Sequence, residues 1–219
     1  MNKTNQINLD EILRQYGHLS FKSAIQRIAD EGSEEITMAV HPAFDLGYSQ
    51  LSVEAKNSYL KNTRDYFQFC KEKGIKILHF RDMLPIFGSV NEPALSDKFG
   101  INADYEVPTF PNMGVPLDLT IQYFEQKSIY GIFVPSYHLK NNSIKFINAV
   151  GGFIESDACF PDGLSVMEAT ALDEVRVIRE CIIQKKPGLF DINAYGHPIG
   201  RVVLYSFKGG KIEKINKSN

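Results

Sequence analysis

The chain lacks any run of about 18 apolar residues, which a membrane-spanning helix requires. Its opening, MNKTNQINLDEILRQYG, has no apolar core of the kind a secretory signal carries. Cysteine is scarce: Cys70, Cys159 and Cys181 lie in widely separated segments, an odd count that does not make a disulfide framework. They read as reduced thiols, and the expected location is cytoplasmic. An excess of one charge is also missing. Lys plus Arg is 24 against 26 for Asp plus Glu, a net of -2, without the basic surplus of a nucleic-acid binder. Several chemical signatures are absent as well. No G-x-x-x-x-G-K-[ST] loop and no G-x-G-x-x-G turn occurs, so no nucleotide cofactor is expected. No H-E-x-x-H, paired C-x-x-C or G-x-S-x-G appears either.

What remains is an ordinary globular composition of 219 residues, 43% hydrophobic and 23% charged, which excludes global disorder. The expected fold is α/β: three layers, with a mainly parallel open sheet, helices on both faces and a C-terminal β-hairpin. Residues 1–32 read as an N-terminal helical extension and 33–219 as a single α/β domain. In the extension, Leu9, Ile12, Leu13 and Tyr16 form one stripe, and Phe21, Ile25 and Ile28 another after a cap at Ser20.

Strands are expected at 36–40, 75–78 and 129–134, with an ambiguous fourth at 147–154 that contains Gly151-Gly152. Ser52 opens a helix carrying Tyr59, Thr63, Tyr66, Phe67 and Cys70 on one face, closed by Gly74. Pro116 opens another, with Leu117, Ile121 and Phe124 on a stripe. Ser165 with Glu168 reads as a capping box for a helix through Leu172, Val175, Ile178 and Ile182. Segment 83–116 holds five of the ten prolines and no clean period, and reads as a long loop or lid. Two final strands flank the Gly209-Gly210 turn.

In an open α/β sheet, ligands bind outside the carboxyl ends of the strands. The expected strand ends carry His41-Pro42 with Asp45, His79-Phe80-Arg81-Asp82, Tyr137-His138, and Glu155-Ser156-Asp157-Ala158-Cys159. Imidazoles and carboxylates gathered there suit either a divalent metal or general acid–base catalysis. The leading expectation is a small hydrolase in which His41, His79 and Asp82 hold zinc, manganese or iron, with Asp157 as an alternative carboxylate. His138 then acts as acid or base, and Arg81, with Tyr137, meets an anionic substrate. A second reading makes Cys159 the nucleophile with a histidine base. A third is a non-catalytic binding module. Cys70 and Cys181 are expected in the core, and His197 is an outlying candidate. The expected partner is a small-molecule substrate, with neither nucleic acid nor membrane, and a homo-oligomer is left open.

Three local resemblances follow from these residues. His41-Pro42-Ala43-Phe44-Asp45 resembles the strand-end motif of LmbE-like zinc N-deacetylases, without that motif's adjacent acidic pair. The chain length and the Cys159 region resemble the isochorismatase-like cysteine hydrolases, although 36–40 lacks the acidic residue of their first strand. Asp162 to Ala169 is similar to the donor-site segment of two-domain glycosyltransferases, with no matching upstream segment. Each covers fewer than about 20 residues.

Overall fold

The computed structural model describes residues 9–15, 17–43, 49–82, 92–109, 114–119, 143–152, 159–184 and 202–215. Their elements are α1 (Leu9–Gln15), α2 (Phe21–Asp30), β1 (Glu35–Val40), α3 (Val53–Lys73), β2 (Lys76–Arg81) and α4 (Leu95–Phe99). Then come β3 (Tyr105–Pro108), β4 (Phe146–Gly151), α5 (Cys159–Thr170), β5 (Glu174–Ile182), β6 (Val202–Lys208) and β7 (Lys211–Lys214). They build the expected α/β architecture. Seven strands form one sheet in the order β3-β2-β1-β4-β5-β6-β7. Every neighbouring pair is parallel except β6 with β7, the expected terminal hairpin.

Alternation along the strands divides the core between the two faces. On one face, Ile36, Met38 and Val40 of β1 and Leu78 and Phe80 of β2 pack with Phe21, Ile25 and Ile28 of α2 and Leu164 and Met167 of α5. On the other, Ala39 and Ile77 meet Tyr59, Tyr66, Phe67 and Cys70 of α3 and Leu95 and Phe99 of α4. Helix α2 thus seals one face of the sheet. Its first turn is held twice: Ser20 accepts the N–H of Ser23, and the buried Asp118 carboxylate accepts the N–H groups of Phe21 (3.0 Å) and Lys22 (3.3 Å). Helix α3 begins at Ser52 and ends at Gly74 in the left-handed region, as its sequence indicates.

Three expectations need correction. Residues 174–182 form a strand, where the spacing of Leu172, Val175, Ile178 and Ile182 had suggested a helix. Val175, Val177, Ile178, Cys181 and Ile182 are all buried, so burial on both faces hides the two-residue period. Helix α5 begins at Cys159, six residues before the expected cap at Ser165. Pro161 falls in its first turn, where a missing N–H costs no intrahelical bond. Segment 83–116 is no continuous loop, since 92–109 contains α4 and the edge strand β3. Tyr105–Pro108 is too short and too polar to display a period. The strand expected at 129–134 lies outside the described residues, as does most of the helix expected after Pro116.

Among the described residues, no helix is long and apolar enough to cross a membrane.

Candidate active site

Strand order reverses between β1 and β4: the chain builds outward from β1 to β2 and β3, then returns to place β4 on its other side. Parallel sheets leave a crevice beyond the carboxyl ends of the strands at such a reversal. The residue leaving β1 there is His41. Its φ of 44° makes it the only non-glycine among the described residues with a positive φ, and a side chain held in that region marks local strain. His41 N–H still bonds to the Phe80 carbonyl of β2 at 3.2 Å, so the turn stays tied to the sheet.

The β4 side of the crevice is shaped by glycine. Gly151 has φ 132° and lies directly on Val40, where an added Cβ would collide with the Val40 carbonyl. Gly152 N–H bonds that same carbonyl at 2.8 Å, and the Tyr59 hydroxyl donates to Pro42 O at 2.9 Å. The Gly-Gly pair that blurs the strand signal is therefore what lets β4 close over the end of β1. Helix α5 approaches from the opposite face by the same means. A Cβ on Gly163 would stand 2.7 Å from Val40 Cγ2. Cys159, one helical turn earlier, is the first residue of α5.

Around His41 lies a buried polar cluster organised by Glu92, a residue the sequence reading passed over. Glu92 is fully buried. Its Oε2 is 2.9 Å from His41 Nδ1, and its Oε1 is 3.4 Å from His79 Nε2. Backbone N–H groups of Ala43 and Asp82 also donate to this carboxylate, each at 3.3 Å. Glu92 itself is anchored through its N–H to Asp82 O at 3.0 Å, while its carbonyl accepts Arg81 Nε at 2.7 Å. Burial alone would raise the Glu92 pKa, but His79 and His41 outweigh it and hold the carboxyl far below the usual carboxylate range. An ionised carboxylate only accepts, so His41 donates its Nδ1–H to Glu92. The other ring nitrogen, Nε2, faces Thr109 Oγ1 at 3.4 Å.

His79, fully buried, stands between two carboxylates. On its far side Nδ1 is 3.8 Å from Glu106 Oε1, across the β2–β3 register. Both contacts are ion-pair distances without hydrogen-bond geometry. Burial pushes the His79 imidazolium down, yet Glu92 and Glu106 together leave its pKa above the ordinary 6.5. Glu106 is drawn down to about 2, first by its contact with His79 and then, against burial, by the Arg81 charge. Arg81 Nη1 meets Glu106 Oε2 at 2.9 Å.

The structure thus brings together four residues expected at the strand ends: His41, His79, Arg81 and Asp82. Arg81 is engaged by Glu106 and by the Glu92 carbonyl. Asp82 is buried, with Oδ1 unpartnered among the described residues. Among those residues, no group of three or more His, Cys, Asp and Glu side chains is arranged to hold a metal ion. Tyr137, His138, Asp157, Asp45 and His197 lie outside the described residues. Cys70 and Cys181 are core thiols, as expected. Burial raises Cys70 to about 11, and it raises Cys181 well above its ordinary value.

No protein-family model and no curated protein matches the chain. Among solved structures it is similar to N-carbamoylsarcosine amidase from Thermoplasma acidophilum, at 11% identity and a TM-score of 0.48, over 78% of this chain and 95% of that one. It is also similar to an isochorismatase-like hydrolase from Alkaliphilus metalliredigens, at 11% identity and 0.47, over 78% and 95%. A third is the pyrazinamidase of Pyrococcus horikoshii in complex with zinc, at 14% identity and 0.45, over 80% and 100%.

Proposed function

We propose that the chain is a small hydrolase that cleaves an acyl or C–N bond of a small polar substrate, with Cys159 as nucleophile and His41 as general base. The observation that carries this reading is the convergence on Val40. The histidine that ends β1 is oriented by a buried carboxylate at 2.9 Å, and the helix that begins at Cys159 is seated on the same strand end through Gly163. A nucleophile, a base and a third group that fixes the base are the minimum parts of such a site. Unpaired N–H groups at a helix amino terminus favour a thiolate, which is the reactive form of cysteine.

In this scheme His41 takes the Cys159 thiol proton on Nε2 as the sulfur attacks the substrate carbonyl carbon, and passes that proton to the leaving amine or alcohol as the acyl bond breaks. Water, deprotonated by His41, then cleaves the thioester and restores the thiol. The resemblance of the Cys159 region to isochorismatase-like cysteine hydrolases implies the same class of reaction.

The test is the rate of iodoacetamide labelling at each cysteine of the native protein, read by peptide mass spectrometry. Cys159 should react at least about 100-fold faster than Cys70 and Cys181 near neutral pH. His41→Ala should remove most of that advantage in a protein that remains folded. A Cys159 no more reactive than the two core thiols would overturn the reading. So would turnover of an ester or amide by Cys159→Ala together with stoichiometric zinc, manganese or iron in the purified protein. That result would return the water-activating role to a metal.

A further inference from the structure

No motif marks Thr109, which falls in the segment expected to cover the site, yet the structure seats its hydroxyl against the histidine that ends β1. Resting on the reading of His41 as the base, we infer that Thr109 is a positioning residue: its hydroxyl holds the Nε2 side of the His41 ring as Glu92 holds the Nδ1 side.

Thr109 directly follows β3 and is fully buried. Its backbone is fixed from two directions. The N–H donates to Arg81 O at 3.0 Å, which carries the β2–β3 ladder one residue past the Arg81–Pro108 pair. An antiparallel bridge ties the same residue to Pro116. A β-branched side chain on so constrained a backbone has few rotamers, so its hydroxyl has a set direction. That direction brings Oγ1 to 3.4 Å from His41 Nε2, across 68 residues of sequence. Because His41 donates its Nδ1–H to Glu92 at 2.9 Å, Nε2 of the neutral ring is an acceptor, and the Thr109 O–H donates to it. A half-turn of the ring would put carbon where each nitrogen stands and forfeit both contacts. His41 is thereby held in one orientation and one tautomer.

A hydroxyl suits this place because it both donates and accepts. At 3.4 Å the contact is loose, so it steers the ring without closing Nε2 to the thiol proton. Once that proton has moved from Cys159 Sγ to His41 Nε2, the new N–H donates to the same Thr109 oxygen, and the threonine neither gains nor loses a proton. Thr109→Val removes the hydroxyl and keeps the volume of the side chain. It should slow the labelling of Cys159 by iodoacetamide about tenfold, the worth of one hydrogen bond. Thr109→Ser keeps the hydroxyl, gives up a buried methyl, and should restore most of the rate.

The two substitutions separate the hydroxyl from packing. Labelling of Thr109→Val as fast as that of the intact protein would overturn the proposal, and so would Thr109→Ser as slow as Thr109→Val. Should Thr109→Val not fold, Thr109→Ala against Thr109→Ser makes the same comparison, since both lack the methyl and they differ by the hydroxyl alone. Nitrogen-15 spectra of the histidine rings at about pH 8, where an ordinary imidazole is neutral, test the contact without reference to Cys159. The His41 Nε2 resonance should move downfield in Thr109→Val, as a ring nitrogen does on losing a hydrogen bond, and return in Thr109→Ser. A resonance unmoved by the loss of the hydroxyl would overturn the assignment. A Cys159 inert in the intact protein, with Nε2 responding to Thr109, would retire the nucleophile and leave Thr109 as the partner of His41.

Discussion

Two charge clusters sit at opposite ends of the same sheet. At the carboxyl ends of β1 to β3, Glu92, His41 and His79 are fully or nearly fully buried. At the amino ends of β1, β4 and β5, Arg176 meets Glu35 at 3.0 Å and Glu174 at 3.3 Å, with Lys214 beyond at 3.3 Å from Glu174. There the guanidinium carbon lies over Phe146, 3.9 Å from the ring centroid, and the Tyr205 hydroxyl donates to Glu174 at 2.7 Å. The two clusters use similar chemistry to different ends. The Arg176 cluster is half-exposed, so water shares the solvation of its charges, and its ion pairs contribute little beside the packing of the guanidinium on the ring. Around Glu92 only protein groups supply that solvation, and each partner is therefore obligatory.

Truncating a partner in the buried cluster should have the largest effect. Glu92→Ala leaves two enclosed imidazoles without the carboxylate they share, and should cost about 3–5 kcal/mol in chemical denaturation. Glu92→Gln should cost less, because the amide keeps an acceptor for His41. Gly151→Ala comes next. It places a methyl against the Val40 carbonyl at a φ hostile to other residues, and should cost about 2–4 kcal/mol. A value near zero for Gly151→Ala would mean that β4 can back away from the strand end, and that the crevice is not fixed by this contact.

The contrast can be sharpened by pH. Glu106 falls from about 4.5 to about 2 on folding, and Glu92 is depressed further. Carboxylates depressed in this way stabilise the fold above their unfolded values and lose that contribution as pH falls through the folded ones. His79 is raised above 6.5, so its contribution is complete below that value and is lost as pH rises through its folded pKa. The buried cluster should therefore stabilise most strongly between about pH 4.5 and 6.5. Tm should decline on both sides of this window, and Glu92→Gln should flatten the profile. A wild-type Tm constant from pH 3 to 8 would contradict the assigned charges.

The layered fold was legible because its signals are local. Ser52 and Gly74 bracket a helix, and Gly209-Gly210 sits between two short strands. Strand β5 was misread because burial on both faces erases the alternation that distinguishes a strand from a helix. At the site, His41, His79, Arg81 and Asp82 were found by their positions at strand ends. Glu92 was not, because it lies in the proline-rich segment between elements, with no period or motif around it. Its partners are 51 and 10 residues away in sequence, so a long-range contact reveals it and local pattern cannot. One signal was present: a glutamate before Pro93 in a segment suspected of covering the site.

The smallest effects belong to the exposed end and complete the comparison. Arg176→Ala removes two carboxylate partners and the stack on Phe146, and should cost about 1–2 kcal/mol, mostly from lost packing. Arg176→Lys separates the contributions. It keeps the charge but gives up the planar face, so a loss close to that of alanine would identify stacking as the larger part. Lys214→Ala removes one exposed partner from Glu174, which still holds Arg176 and Tyr205, and should cost less than about 0.5 kcal/mol. That small loss should shrink further in 1 M salt, which screens exposed pairs, while the Glu92→Ala loss should hardly change. Equal salt sensitivity in the two variants would mean that water reaches Glu92, and the distinction between the two ends of the sheet would then fail.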